Sequence, residues 1–332
     1  IKNHSAQRTK NILKLSQHAK YKRIMTGSPV TKSPLDLFSQ VQFLDPWLLD
    51  QQSYYSFRAR YAVIVQRSVG THSFQHIVKY QRLDELQEKI QNFSTRILKS
   101  DCLDLPEKVY TKRVVSLTAE QVKAYTEMKK AAITFFEDNV MTAASVLTQI
   151  IRLHQITCGH FKTDDGEVKS IKSNRIKELL EVLEETNGKV IIWAVYRYDI
   201  QQIEKTLGDK YGKESVATYY GDTKDSIRQS IVDRFMDPDD PLRFFVGNPK
   251  TGGYGLTLTS SHTVVYYSND YSLEIRLQSE DRAHRIGQTN KVTYVDLIAE
   301  NTIDEKIVKA LNAKIDLASQ VMGEDPKKIL FS

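Results

Sequence analysis

The chain has 332 residues, a hydrophobic fraction of 40%, and 47 Lys and Arg against 41 Asp and Glu, giving a formal net charge of +6. This composition excludes a wholly disordered or collagen-like chain, and no stretch approaches the ~18 apolar residues of a membrane span. Two cysteines exclude a disulfide scaffold and predict a reducing compartment, cytoplasmic or nucleoid-associated, with a nuclear location left open. The length predicts about two domains in this chain. The sequence starts without Met or a signal-peptide core, which predicts that it is a piece of a longer protein.

The first half of the chain predicts a mostly helical region without a complete sheet. Leu83, Leu86 and Ile90 illustrate the basis, since apolar residues at i, i+3 and i+7 lie on one face of a helix. The predicted elements are a strand at 21–25, helices at 35–44, 51–61 and 83–98, a strand at 110–117, and helices at 118–138 and 141–157.

The second half predicts strands and helices in alternation. The expected strands are 189–195, 215–220, 243–247, 262–267 and 291–298, and the expected helices are 174–186, 199–207, 225–236, 273–285 and 302–321. Alternation at this pace requires parallel strands joined by right-handed crossovers. The fold class is therefore α/β, with a doubly wound parallel sheet over about residues 170–322, and ligands are expected at the carboxyl ends of its strands.

The segment 278–288 offers a paired cation on a predicted helix. Gln278, Arg282 and Arg285 are spaced at i, i+4 and i+7, so they share one stripe of that helix. Two adjacent guanidinium groups repel each other unless an anion lies between them, and their planar forks suit phosphate oxygens. The spacing predicts an arginine finger for phosphoryl transfer. The alternative is a solvated helix face on which Glu280 and Asp281 pair locally.

Two further motifs follow predicted strands. In 248–257, Gly253 and Gly255 let backbone amides approach a phosphate, while Lys250 and Thr251 add charge and a hydroxyl group. In Tyr219–Asp222, an aromatic beside a glycine suits a sugar-phosphate backbone. Ordinary turns and strand ends explain both motifs equally well when each is taken alone.

Other features point away from a complete nucleotide site or a metal site. No G-x-x-x-x-G-K-[ST] phosphate loop is present in the sequence. His154, Cys158 and His160 are possible zinc ligands, but they lack a CxxC partner, so packing on a helix face is favoured over metal binding. Trp193 lies in an apolar strand, which by itself predicts a core position.

Residues 278–288 read Q-S-E-D-R-A-H-R-I-G-Q, which closely resembles the sixth helicase motif of the Swi/Snf family of superfamily-two DNA translocases. The resemblance extends over nearly the whole chain in the family's order. Further segments that resemble motifs of this family are 1–6, 25–29, 35–44, 93–108, 153–158, 189–195, 219–222 and 248–258.

The resemblance implies a RecA-like second lobe, of the kind found in P-loop NTPases. It divides the chain into the tail of a first RecA-like lobe at 1–34, a helical insertion and linker at 35–165, and the second lobe at 166–332. ATP and Mg²⁺ are then held mainly by a first lobe outside this sequence.

The resemblance also implies roles for individual residues. Arg282 and Arg285 reach the γ-phosphate with help from Gln278, next to Gly253 and Gly255. Thr26 and Gly27 couple the ATP state to lobe closure. The residues that hold one strand of duplex DNA are Trp193, Tyr220, Gly221, Asn248, Lys250 and Thr251. Because Asn248–Thr251 departs from the usual S-T-K/R-A-G-G, backbone amides are expected to carry more of the contact there.

These observations predict the C-terminal portion of an ATP-dependent double-stranded DNA translocase or helicase, expected as a monomer with no membrane association. By itself this portion is expected to hydrolyse ATP negligibly. A second hypothesis is a non-catalytic DNA-binding module with a vestigial nucleotide surface. A third is a sugar-nucleotide enzyme on a doubly wound fold, which fold alone does not exclude.

Overall fold

The computed structural model describes residues 1–69, 72–137, 143–163, 165–252 and 255–322. The chain divides into two compact units. Unit 1 contains 1–102, 272–274 and the described residues from 311 onward, and unit 2 contains 103–271 and 275–310. The main boundary between the units lies at Cys102/Leu103, whereas the three-part division at 34 and 165 stays a prediction.

Unit 1 combines short helices with one antiparallel hairpin. Its core is a cluster of buried apolar residues, including Phe38, Phe57 and Leu86, onto which Ala318 and Val321 also pack. Its elements are α1 (Gln7–Ser16), α2 (Asp36–Leu44), α3 (Tyr54–Tyr61), β1 (Ala62–Val69), β2 (His72–Tyr80), α4 (Leu83–Gln91) and α5 (Lys99–Cys102).

Two expectations for unit 1 were wrong, and one element was missed. Residues 21–25 form no strand, because the described residues of unit 1 offer no neighbouring strand with which they pair. The hairpin β1–β2 was missed, although β-branched residues such as Val63 and Ile64 favour a strand. The helix expected at 83–98 ends at Gln91, and Ile97, within the expected range, is 71% exposed.

Unit 2 is built around a six-stranded sheet with the order β3-β10-β9-β6-β8-β7, in which every pairing is parallel. The predicted doubly wound parallel sheet is thereby confirmed. Its strands are β3 (Lys108–Val114), β6 (Lys189–Trp193), β7 (Val216–Tyr219), β8 (Phe244–Gly247), β9 (Ser261–Tyr266) and β10 (Val292–Ile298), and a separate two-stranded sheet contains β4 (His160–Lys162) and β5 (Val168–Ser170).

Helices cover this sheet on both faces. Val190 and Ile192 of β6 pack into one buried cluster, while Ile191 and Trp193 pack into another. Alternate residues of one strand therefore meet two separate hydrophobic layers, as expected for a strand that is buried on both sides. The helices are α6 (Ala119–Glu137), α7 (Ala143–Cys158), α8 (Arg175–Glu184), α9 (Arg197–Tyr211), α10 (Asp225–Met236), α11 (Pro249–Gly252), α12 (Leu273–Glu280) and α13 (Ile303–Met322).

Two further predictions are corrected in unit 2. The strand expected at 110–117 was assigned to the mostly helical first half. It corresponds to β3, which is instead an edge strand of the large sheet and pairs with β10 over seven residue pairs. The helix expected at 273–285 ends at Glu280, so Arg282 and Arg285 lie in the turns that follow it. The shared helical stripe predicted for Gln278 and the two arginines therefore does not exist, and another feature of the fold brings their side chains together.

Candidate functional site

The loops that follow the central strands are tied together at the carboxyl edge of the sheet. Asn248, directly after β8, donates its side-chain amide to the carbonyl of Val195, at 2.8 Å. Its backbone N–H donates to the carbonyl of Tyr219 at the end of β7, at 3.1 Å. The side-chain oxygen of Asn248 accepts from the backbone N–H of Lys250, at 2.9 Å. Asn248 thus positions the start of α11 against two neighbouring strands.

Trp193 is completely buried at this edge, so the predicted direct contact of its side chain with DNA is corrected. A Cβ atom added at Gly247 would lie 2.8 Å from the indole ring, and one added at Gly252 would lie 2.7 Å from it. The two glycines are therefore required by the close approach of backbone to the Trp193 ring. The buried Trp193 ring packs against the loop at 248–252, in the core position that its apolar strand predicted.

Lys250 and Thr251 lie in α11, where the Lys250 side chain is 59% exposed. Its ammonium group forms an ion pair with the carboxylate of Asp270, at 2.9 Å. A phosphate that binds Lys250 must therefore compete with Asp270. Thr251 is half-buried, and its backbone N–H donates to the carbonyl of Asn248. Because this amide already donates within the loop, it is less able to make the DNA contact that was expected of backbone amides here.

Tyr220 and Gly221 follow β7, with Tyr220 half-buried and Gly221 exposed. The Arg197 side chain is 68% exposed, lies beside Gly221 and forms an ion pair with Asp222 at 3.0 Å. Arg228 holds the turn by donating to the carbonyl of Tyr220, at 3.3 Å. Sequence reasoning missed Arg197, although its position at the start of the helix after β6 is a signal for this edge of the sheet.

Arg282 and Arg285 converge on one backbone oxygen. Arg282 donates from Nη1 to the carbonyl of Leu256 at 2.9 Å, and from Nε to the carbonyl of Gln278 at 2.9 Å. Arg285 is exposed and donates from Nη1 to the same Leu256 carbonyl, at 3.3 Å. The side-chain Oε1 of Gln278 is buried and has no hydrogen-bond partner among the described residues. The three predicted residues are thus neighbours, as the sequence indicated, but through a loop rather than a helix face.

The electrostatics of the arginine pair suit an anion. Burial lowers the pKa of Arg282, Asp281 partly offsets this effect, and the positive charge of Arg285 adds to it. One carbonyl oxygen cannot neutralise two guanidinium groups, and a polyphosphate has the charge and oxygen spacing that does. The donor set therefore fits the outer phosphates of ATP.

The described residues offer no comparable set of ligands for Mg²⁺. The part of the chain that the structure describes contains no group of three His, Cys, Asp or Glu side chains placed to hold a metal ion. No role for Mg²⁺ is therefore assigned to its residues.

A buried charge network holds the end of α12, where the arginine loop begins. Arg276 is 9% exposed and donates to Glu280 at 2.7 Å and to Asp296 at 2.6 Å. Glu280 also accepts from the hydroxyl of Tyr110, at 2.7 Å. Burial favours neutral Arg276, but the carboxylates of Asp296 and Glu280 outweigh it and keep its pKa above the ordinary value. Sequence reasoning missed this network, since Tyr110 and Glu280 are distant in the chain.

The remaining predicted residues are less constrained by the structure. Thr26 and Gly27 of unit 1 are exposed, and Thr26 Oγ1 accepts from the backbone N–H of Ser28, at 3.2 Å. Gly255 has a φ of 76°, which favours glycine, and a Cβ added there would meet open space. Gly253 lies outside the described residues. The coupling role of Thr26 and Gly27 stays a prediction.

The residues considered for zinc lie inside unit 2. His154 and Cys158 are buried, and His154 Nδ1 lies 2.9 Å from the hydroxyl of Tyr196. Arg175, which is fully buried, forms an ion pair with Asp304 beside this cluster. Burial lowers the pKa of His154, which therefore favours its neutral form. The cluster connects α7, α8, α9 and α13 through polar contacts.

Two family models match the chain. Residues 1–162 match the SNF2-related domain, and residues 171–287 match the helicase conserved C-terminal domain. The two matches together contain the predicted coupling residues, the Gly-rich loop and the arginine pair. The described part of the chain has no helix that is long and apolar enough to cross a membrane.

Individual relatives agree with these models. The chain is 27% identical to the putative ATP-dependent helicase/translocase YwqA of Bacillus subtilis, over 98% of this chain and 35% of that protein. It is 28% identical to the SWI/SNF chromatin-remodeling complex subunit snf22 of Schizosaccharomyces pombe, over 97% of this chain and 20% of that protein. The chain thus spans about a third or less of the length of these relatives.

The fold has a solved counterpart as well. The SWI2/SNF2 ATPase core of Sulfolobus solfataricus in complex with double-stranded DNA matches with a TM-score of 0.52 and 26% identity, covering 98% of this chain and 68% of that chain. This match confirms the RecA-like α/β fold expected from the sequence. With both family models in their usual order, it also confirms the predicted resemblance. The chain therefore belongs to the SNF2-related helicase family.

Proposed function

We propose that this chain is the part of an ATP-dependent double-stranded DNA translocase or helicase that supplies the arginine pair and one DNA grip. The observation that carries the proposal is the convergence of Arg282 and Arg285 on the Leu256 carbonyl. Such a pair stabilises negative charge that develops on a phosphoryl group during transfer, and in other enzymes an arginine of this kind contributes roughly 10³–10⁵ in rate.

The two arginines would divide the task. Arg282 is half-buried and hydrogen-bonded twice to backbone oxygens, so its guanidinium is already positioned before nucleotide arrives. Arg285 is exposed and held by one longer hydrogen bond, so it reaches outward at little cost. The unpartnered Oε1 of Gln278 accepts a hydrogen bond that a positioned water molecule would donate. Bound ATP would supply the phosphoryl group, and these side chains orient around it.

The DNA grip would lie at the carboxyl edge of the sheet in unit 2. Arg197 and Lys250 are exposed there, next to Gly221 and the loop that Asn248 positions. Both cations are paired with aspartates, so phosphate binding exchanges one anion for another. Contacts of this kind read the backbone and not the base sequence, so affinity should fall steeply with salt and vary little with sequence.

The test is DNA-stimulated ATP hydrolysis by the full-length protein that contains this chain. Arg285→Ala should lower turnover by roughly a hundred-fold or more if the guanidinium stabilises the transition state. Lys177→Ala, which removes a 78% exposed cation on α8 of the same unit, is the matched control and should leave turnover unchanged. Unchanged turnover in Arg285→Ala would remove the arginine-finger role.

A DNA-binding module with a vestigial nucleotide surface is the second candidate. Arg197 lies at the start of α9 and Lys250 lies in α11, so neither cation of the grip belongs to the segment that carries Arg282 and Arg285. DNA binding at this edge would therefore not require the arginine pair. The two candidates differ in whether ATP hydrolysis accompanies DNA binding. Salt-sensitive DNA binding in a full-length protein that hydrolyses no ATP would favour the module.

A further inference from the structure

The β1–β2 hairpin of unit 1 has two different faces. Paired residues of an antiparallel ladder point to the same side, so the pairs Val65↔His76 and Arg67↔Phe74 share one face. Ile77 points to the other face and packs against the core of unit 1. The hairpin therefore has an inward face, anchored at its base, and an outward face, which carries Val65, Arg67, Phe74 and His76.

The outward face exposes apolar side chains beside its polar ones. Val65 is 37% exposed, Phe74 is 47% exposed, and Val78, at the irregularity in the ladder, is 54% exposed. A hairpin of two strands is only marginally stable by itself in water. Its three exposed apolar side chains add no stability, because apolar surface stabilises a fold only when it is buried. This face has the composition of a contact surface, and no described residue of unit 1 covers it.

The hairpin also carries cations that no nearby acid offsets. The sequence from Gln51 to Leu83 contains no Asp or Glu. Arg67 is exposed on the outward face, and exposed Lys79 pairs with Val63, which alternates along β1 onto the same face as Val65. Arg67 and Lys79 form no ion pair with any described residue.

The acids nearest in sequence lie at the base of the hairpin. Asp84 is exposed at the start of α4, and Glu85 is occupied by Arg60 at 2.7 Å and by the hydroxyl of Tyr61 at 2.9 Å. The positive charge of the ribbon is therefore not neutralised within unit 1, which indicates a polyanionic partner.

We propose that the outward face of this hairpin is a second DNA-binding surface, separate from the carboxyl edge of the sheet in unit 2. A two-stranded ribbon has the width that the major groove of a DNA duplex admits. Arg67 and Lys79 would contact phosphates, while Phe74 packs on the sugars between them. The proposed contacts are to phosphates and sugars, which are the same at every base step, so this mode of binding is independent of base sequence.

The experiment measures the affinity of the chain for a fluorescent DNA duplex as a function of salt. Arg67→Gln with Lys79→Gln removes two phosphate contacts, so binding should weaken roughly ten-fold or more at about 0.1 M salt, and the slope of log K against log salt should fall by about two. The matched control is Lys177→Gln with Lys309→Gln, which changes the net charge equally at positions 78% and 79% exposed outside the hairpin. The control should bind as the unchanged chain does.

Two further variants keep the result specific. Arg67→Lys with Lys79→Arg retains both charges and should restore binding, whereas a fold defect would not respond to charge. Phe74→Ala should weaken binding without changing the salt slope, since no charge is removed. Unchanged affinity in the Arg67→Gln, Lys79→Gln variant would overturn the inference, and it is also the result expected if the hairpin serves a protein partner instead.

The inference stands or falls separately from the proposed function. Arg197→Gln with Lys250→Gln tests the grip in unit 2 by the same measurement. If only this second pair weakens DNA binding, the hairpin inference fails and the grip stands. If only the hairpin pair weakens it, the hairpin site stands and the grip at the sheet edge fails. The arginine pair is tested by ATP hydrolysis in either case.

Discussion

Arg282 and Arg285 donate hydrogen bonds to the same backbone oxygen, the carbonyl of Leu256. The shared acceptor holds two like charges side by side at the end of a loop that follows α12. The carbonyl dipole compensates only part of the charge of two guanidinium groups, and Asp281 offsets a further part at Arg282, so an additional anion would be stabilised here. The geometry thus combines a structural role for Arg282 with an outward-reaching role for Arg285.

This division predicts different stabilities for two alanine variants. Arg282→Ala removes hydrogen bonds to two carbonyl oxygens and should lower the free energy of unfolding by about 1–2 kcal/mol. Arg285→Ala leaves the Leu256 carbonyl bonded to Arg282 and should change it by less than about 0.5 kcal/mol. Urea denaturation of the chain measures both, and equal losses would contradict the division.

The buried ion pair between Arg175 and Asp304 should be essential for unit 2. Asp304→Ala leaves a fully buried guanidinium without its carboxylate, which should cost about 3–5 kcal/mol of the free energy of unfolding. The control is Glu181→Ala, which removes an exposed partner of Lys177 and should cost about 0.3–0.5 kcal/mol. Comparable midpoints in thermal unfolding for the two variants would show that the buried pair is not needed.

Gly252→Ala should disturb the loop over Trp193. The added Cβ would lie 2.7 Å from the ring, so backbone or ring must move, at a cost of about 1–3 kcal/mol. Because Lys250 and Thr251 lie in the same short helix, DNA affinity should fall together with stability. Gly208→Ala, in α9 of the same unit, brings the new Cβ no closer than 3.8 Å to atoms outside its own helix and is the control. Normal DNA binding by Gly252→Ala would show that the grip does not depend on this packing.

The stability of unit 2 should fall as the solution becomes acidic. Burial lowers the pKa of His154 below its ordinary value of 6.5, and the charge of Arg175 acts in the same direction while Asp304 opposes it. Below about pH 6.5 the unfolded chain therefore binds a proton that the folded chain does not, and the free energy of unfolding decreases. Thermal unfolding midpoints measured from about pH 7.5 to about pH 5.5 should therefore fall as the pH is lowered.

His154→Gln removes the titrating group of this cluster, so the variant should show a flatter pH dependence. His76→Gln removes an exposed histidine on the hairpin and leaves the buried cluster intact, so the steep dependence should persist. The role assigned to His154 would be excluded if its variant retained the slope of the unchanged chain.

The local sequence pattern predicted the structure correctly where burial of the same residues also determined it. The apolar run at 189–193 is buried on both faces, and the alternation of strands and helices predicted the parallel sheet. Pattern was a poor guide at 278–285, where helical spacing suggested a common stripe. The helix ends at Glu280 instead, a residue that accepts hydrogen bonds from Tyr110 and Arg276 in a buried network that no local pattern records.

The sequence by itself determined the α/β class, the family, and the residue types at the predicted site, because these depend on periodicity and motifs that are local along the chain. Tertiary structure alone decided that β3 pairs with β10, that Leu256 gathers the two arginines, and that the Trp193 ring is buried beneath the loop at 248–252. These relationships join segments far apart in the chain. Their energies come from packing and hydrogen bonds that exist only after the chain has folded, so no local pattern records them.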